Sequence, residues 1–187
     1  LLYPANLCRL LMRMSGRRFD LMLLNSKKIA FLGVLLGLNQ LFLVLSSVIE
    51  TNTLILMSAA ALMIGIVIVE YDFKSSVIFY AASCILGFFI TFNKLEILTY
   101  ILFFGMYSIV KHLIESRVHN KSIEYLIKII YFNAALAGLY FTVRLFVALK
   151  IVWWMVIGLE AAFFIYDFAF TIFINYYIDN IKPKLKK

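Results

Sequence analysis

Long apolar stretches separated by short charged ones dominate the chain. Uncharged runs cover 29–49, 53–69, 75–93 and 97–110. Two more, 129–143 and 151–178, are bounded by Arg144 or interrupted by Glu160 and Asp167. A bilayer core about 30 Å thick takes about 20 helical residues, with roughly 17–25 tolerated. Five runs reach that length with their apolar flanks, and the second is the shortest. The runs are continuous rather than alternating, so they predict helices and not β-barrel strands. The expected fold is all-α: an integral membrane bundle of six transmembrane helices joined by linkers of a few residues. Its expected parts are a basic N-terminal segment over 1–26, the six-helix domain over 27–181 and a basic tail over 182–187.

Composition agrees with this reading. Of 187 residues, 64% are hydrophobic and 15% charged, whereas a soluble domain sits near a half and a quarter. A chain this short cannot hide the excess in one core. With 8 Gly, 2 Pro and 2 Cys, collagen-like repeats and a disulfide scaffold are excluded. Cys8 lies in the basic arm and Cys84 at membrane depth, so the two cannot pair.

The formal charge of +8 is explained by where its cations fall. Arg9, Arg13, Arg17, Arg18, Lys27 and Lys28 precede the first span, and Lys74 follows the second. Lys111, Arg117, Lys121 and Lys128 surround the fourth connection, and Lys182, Lys184, Lys186 and Lys187 close the chain. The opposite side holds Lys94, Arg144 and Lys150. With both termini inside, the split is 15 against 3, and the positive-inside rule predicts cytoplasmic termini in a multi-pass plasma-membrane protein. The cations flank spans, so no basic face for nucleic acid is formed. Residues 1–26 carry two readings: a basic amphipathic helix at the interface, or sequence foreign to the native protein.

Lipid tails are as apolar as Leu, so helices associate through small residues and polar contacts. Ala61/Gly65, Ser83/Gly87 and Ala134/Gly138 have the small-xxx-small spacing of internal packing. Gly33 and Gly37 form a GxxxG on the first helix, with Ala30 one turn earlier on a nearby face, where a partner helix could lie. Asn39 and Gln40 follow and can hydrogen-bond across helices.

Ionisable groups at membrane depth are functional candidates by default. Glu160 lies about ten residues into a helix entering from outside, about 15 Å deep. It can pair with Arg144 or share an outward cavity with it. Asp167, two turns deeper, can meet an inner-side cation such as Lys111 or Lys128. The outer connections carry Glu50, Asn93, Lys94, Glu96, Lys150, Trp153 and Trp154, both charge signs beside aromatic faces, which suits a small polar ligand. An interfacial aromatic belt explains the two Trp equally simply. On the inner side, Lys111, His112, Glu115 and His119 read as a solvated helix end. There is no HExxH, GxSxG, P-loop or metal-spaced Cys/His set, so neither an enzyme nor a bound cofactor or metal is expected.

The opening Lys27-Lys28-Ile29-Ala30-Phe31-Leu32-Gly33-Val34-Leu35-Leu36-Gly37-Leu38-Asn39 and a central block carry a resemblance. That block is Ala82-Ser83-Cys84-Ile85-Leu86-Gly87-Phe88-Phe89-Ile90, then Phe92-Asn93-Lys94, then Phe103-Phe104-Gly105-Met106-Tyr107-Ser108-Ile109-Val110-Lys111. With the size and span count, it resembles the substrate-binding S components of energy-coupling factor (ECF) transporters, in an uncharacterised clostridial-type subgroup. Pro is expected there where this chain has Phe92 and Ser108. The resemblance covers roughly residues 27–180. It implies a vitamin-uptake subunit that works with a transmembrane coupling subunit and two ATPase subunits. The coupling contact, an Ala-xxx-Ala face in the family, falls on Gly33 and Gly37 beside Ala30. By position, the substrate candidates are Asn93, Lys94, Glu96, Arg144, Trp153 and Glu160. The alternative is a structural membrane protein of a cell-shape or cell-wall complex, with no small ligand.

Overall fold

A computed structural model describes the backbone of residues 4–91, 93–144 and 153–185, with side chains from residue 26 onward except Glu50, Trp153 and Leu185. The helices are α1 (Pro4–Val48), α2 (Thr53–Glu70), α3 (Phe73–Ile90), α4 (Lys94–Arg117), α5 (Lys121–Arg144) and α6, which begins as Trp153–Tyr176. α6 continues through a π turn, Tyr177–Ile181, to Lys182–Leu185. A 3-10 turn, Glu50–Asn52, joins α1 to α2. Six helices are long and apolar enough to cross a membrane, and the described residues contain no strand. The chain divides into two compact units, Leu1–Leu35 and Leu36–Lys187, with no break in α1 between residues 26 and 27.

Short connections leave helix ends close together, and side chains close them. Asn93 caps α4 by accepting from the Leu95 amide at 3.2 Å. Lys94 donates to the Phe88 carbonyl of α3 at 2.5 Å and to the carbonyl of Thr91, just past its end, at 2.9 Å. Lys182 does the same for α2, reaching the Val69 carbonyl at 2.6 Å. One end of the bundle holds the 49–52 and 91–93 connections. The other holds 71–72 and 118–120 together with Lys74, Arg117, Lys121, Lys182 and Lys184, and is the basic end.

Close approach at glycine sets the packing. A Cβ on Gly65 of α2 would lie 2.8 Å from Ile174 Cδ1 and 2.9 Å from Phe170 Cζ, so α2 and α6 touch there. On Gly87 of α3 it would lie 2.6 Å from Ile97 Cδ1 of α4. Gly33, Gly37 and Gly138 have nothing within 4 Å of that position. Ala134/Gly138 is therefore not the packed pair expected of it, whereas Ala61, Gly65, Ser83 and Gly87 are buried.

Two devices lock α4 against its neighbours. The first is a π turn, Tyr100–Gly105, whose wider turn buries Tyr100, Phe103, Phe104 and Gly105 together. Tyrosines from both sides answer its carbonyls: Tyr80 of α3 donates to Ile101 at 2.8 Å, and Tyr131 of α5 to Leu102 at 3.3 Å. The second is a buried polar layer. Asn39 donates to the Ala60 carbonyl at 2.7 Å and the Tyr100 hydroxyl at 2.8 Å, and accepts from Ser83 at 2.5 Å. Gln40 donates to the Ser83 carbonyl at 3.1 Å. Four helices are thereby joined through groups that lipid could not satisfy.

Candidate functional site

The half of the bundle away from the basic end encloses a cavity of about 460 Å³ between α2, α4, α5 and α6. Its walls are Leu54, Ile55 and Ser58 of α2, Leu136 and Leu139 of α5, and Leu159, Ala162 and Ile165 of α6. Phe103, Phe104, Phe132, Phe163 and Tyr166 line its deep side. These rings pack on one another: Phe132 stacks on Phe163 at 4.4 Å, and Phe103 meets Phe132 edge-on at 5.4 Å. The π turn supplies the α4 contribution to this aromatic floor, because it is what turns Phe103 and Phe104 inward together.

Toward the basic end lies a buried cluster of charges. Tyr107 connects the two, with its ring 5.3 Å from Phe163 and its hydroxyl donating to Asp167 Oδ1 at 2.5 Å. Lys111 of α4 pairs with the same Asp167 oxygen, donates to Thr171 at 2.8 Å and meets Glu115 at 3.2 Å. Lys128 of α5 holds Glu115 and Glu124 at 2.8 Å each and Asp167 Oδ2 at 3.4 Å. Lys111, Lys128 and Asp167 are only 3%, 2% and 7% exposed. An uncompensated charge at such depth costs several kcal/mol, so the pairing is what allows these residues to be there. A cavity of about 90 Å³ beside Ser108, Lys111, His112, Glu115 and Asn175 adjoins the cluster and has room for water.

Two expectations need correction here. His112, Glu115 and His119 are exposed as a solvated helix end would be, but Lys111 is not part of it: it is buried and ion-paired to α6. No ion pair joins Arg144 to Glu160 among the described residues. Glu160 Oε1 instead accepts from Asn133 of α5 at 2.8 Å, and the Arg144 guanidinium lies 5.9 Å from the Tyr140 ring centre. Asp167 does meet both Lys111 and Lys128.

The remaining candidates fall into separate places. Asn93, Lys94 and Glu96 come together, but as caps: Asn93 donates to Glu96 at 2.8 Å, and Lys94 lies over Phe88 at 4.8 Å while closing α3. The Trp153 side chain and Lys150 lie outside the described residues. None of Asn93, Lys94, Glu96, Arg144 and Glu160 lines the large cavity. Ala30, Gly33 and Gly37 are exposed on α1. The described residues hold no group of His, Cys, Asp or Glu able to bind a metal ion.

Sequence reading missed Tyr107, Glu124 and Thr171 as partners in the charge cluster. The available signal was the Tyr107–Lys111–Glu115 repeat, which places all three on one stripe of a helix. The cavity had no comparable signal, since apolar residues from four helices build it. Comparison of the chain with protein-family models, curated proteins and solved structures finds no match.

Proposed function

We propose that the chain is a membrane-embedded binding subunit for a small micronutrient or vitamin, working as the S component of an ECF-type uptake transporter. The cavity of about 460 Å³ carries this reading, since its size falls in the usual range for small-molecule sites and its lining is mostly apolar and aromatic. It lies in the half of the bundle that the positive-inside rule assigns to the cell exterior, with the basic end and both termini in the cytoplasm. The exposed Ala30, Gly33 and Gly37 on α1 suit close approach by a helix of a coupling subunit. Energy for release would come from the ATPase subunits. The charge cluster beneath the aromatic floor is then a structural tie between α4, α5 and α6, placed where it would sense occupancy through Tyr107 and Phe163.

The test is purification of the full chain from its own host, followed by thermal-shift measurements with a panel of vitamins. A saturable shift with at least one compound, together with a co-purifying coupling subunit, is the expected result. No shift with any compound and co-purification of cell-wall synthesis proteins would instead favour the structural-protein alternative.

A further inference from the structure

The large cavity is unusual in what it lacks. Among the described residues, no Asp, Glu, Lys, Arg or His lines it. Its two aliphatic hydroxyls are already committed to their own helices: Ser58 donates to the Ile55 carbonyl at 2.6 Å, and Thr99 to Leu95 at 2.9 Å. Among the described residues, the remaining polar side chain in the wall is Tyr166, whose hydroxyl is buried beside Ser108. A charged or strongly polar molecule would lose its hydration here and find almost nothing in return, a cost of several kcal/mol per unpaired group.

The mouth has the same character. Leu54 and Ile55 of α2 and Ile165 of α6 line the cavity and are 56%, 67% and 70% exposed. They belong to the two helices that touch at Gly65 nearer the basic end. Away from that contact, α2 and α6 stand on two sides of the cavity, and these exposed apolar side chains form its rim between them.

We propose that this cavity takes an uncharged, lipid-soluble molecule, which reaches it from within the bilayer between α2 and α6. The proposal rests on the reading of the cavity as the substrate site and narrows it: the micronutrient is one that partitions into the membrane. A molecule with an apolar ring or chain would meet the Phe132–Phe163 stack. An acyl chain of ordinary phospholipid would also satisfy the apolar walls, and the experiment separates it from a specific occupant.

The experiment uses the full chain in phosphatidylcholine nanodiscs, probed with menadione, retinol and α-tocopherol, and in parallel with thiamine, biotin and riboflavin. Saturable, one-to-one retention of a lipid-soluble probe is expected, weakened at least tenfold by Ala162→Phe, which fills the cavity from α6. The Ile165→Trp variant, bulkier at the mouth, is expected to slow probe release severalfold. Thermal melting of both variants is followed to confirm that they fold, and Leu136→Phe on the opposite wall replaces Ala162→Phe if that variant does not. Retention of a water-soluble probe alone, abolished by Ala162→Phe, would overturn the lipid-soluble class while leaving the binding-subunit reading intact. Release unchanged by Ile165→Trp would overturn the lateral route. Binding of no probe, with phosphatidylcholine as the only occupant by mass spectrometry, would overturn the inference; together with no co-purifying coupling subunit, it would overturn the function as well.

Discussion

Lys128 on α5 reaches Asp167 on α6 at 3.4 Å while holding Glu115 and Glu124 at 2.8 Å each. Asp167 is shared in turn with Lys111 and Tyr107 of α4, so one carboxylate ties three helices together. In hydrocarbon such a tie is hard to replace, because packing alone gains little there over contact with lipid.

Removing its centre should therefore be costly. Asp167→Ala leaves Lys111 and Lys128 buried with less compensation and is expected to destabilise the bundle by about 3–5 kcal/mol. Unfolding in bicelles measures this. Asp167→Ala combined with Lys111→Met should cost clearly less than the sum of the two single changes, because the second removes the charge the first strands. Additive costs would mean that the two residues do not depend on each other.

Tyr107→Phe keeps the ring against Phe163 and deletes only the hydroxyl that donates to Asp167. The expected loss is about 1.5–3 kcal/mol, the range for a hydrogen bond to a charged group. A loss below about 0.5 kcal/mol would show that Lys111 and Lys128 satisfy Asp167 without it.

Glycine substitutions should sort by location. Gly65→Ala forces a Cβ within 3 Å of Ile174 and Phe170, and is expected to cost about 1–3 kcal/mol as overpacking. Gly33→Ala and Gly37→Ala meet nothing and should leave the melting temperature of the isolated chain unchanged. The larger Gly33→Leu with Gly37→Leu should abolish uptake in cells while substrate binding survives. Loss of both would assign the pair to folding instead.

Asn39 is fully buried, and Asn39→Leu removes its bonds to Ala60, Tyr100 and Ser83 in one change. Membrane hydrogen bonds are worth about 0.6–2 kcal/mol each. The variant should lose about 1–3 kcal/mol on the same bicelle assay, with Ser83→Ala costing less because Tyr100 and Ala60 remain bonded to Asn39.

The spans were legible because bilayer thickness demands a length of apolar sequence that soluble folds rarely use. Asn39 and Gln40 were legible as cross-helix donors, since lipid leaves an amide no alternative. Which side of each helix turns inward was harder to read. In water the apolar face marks the core, but on α4 both Met106, which is exposed, and Tyr107, which is buried, look equally suited to lipid. Lys111 carried two readings, part of a solvated end beside Glu115 and a partner for Asp167, and its burial and ion pair bear out the second. The π turn at Tyr100–Gly105 has no marker in the residues themselves, and it decides that Phe103 and Phe104 form the floor of the cavity.

Native mass spectrometry of the full chain, purified from its own membranes beside Ala162→Phe, tests the binding role most directly. A one-to-one adduct with the mass of a small organic molecule is expected on the wild-type chain and not on the variant. A bare wild-type chain, or the same phospholipid adducts on both, would contradict it.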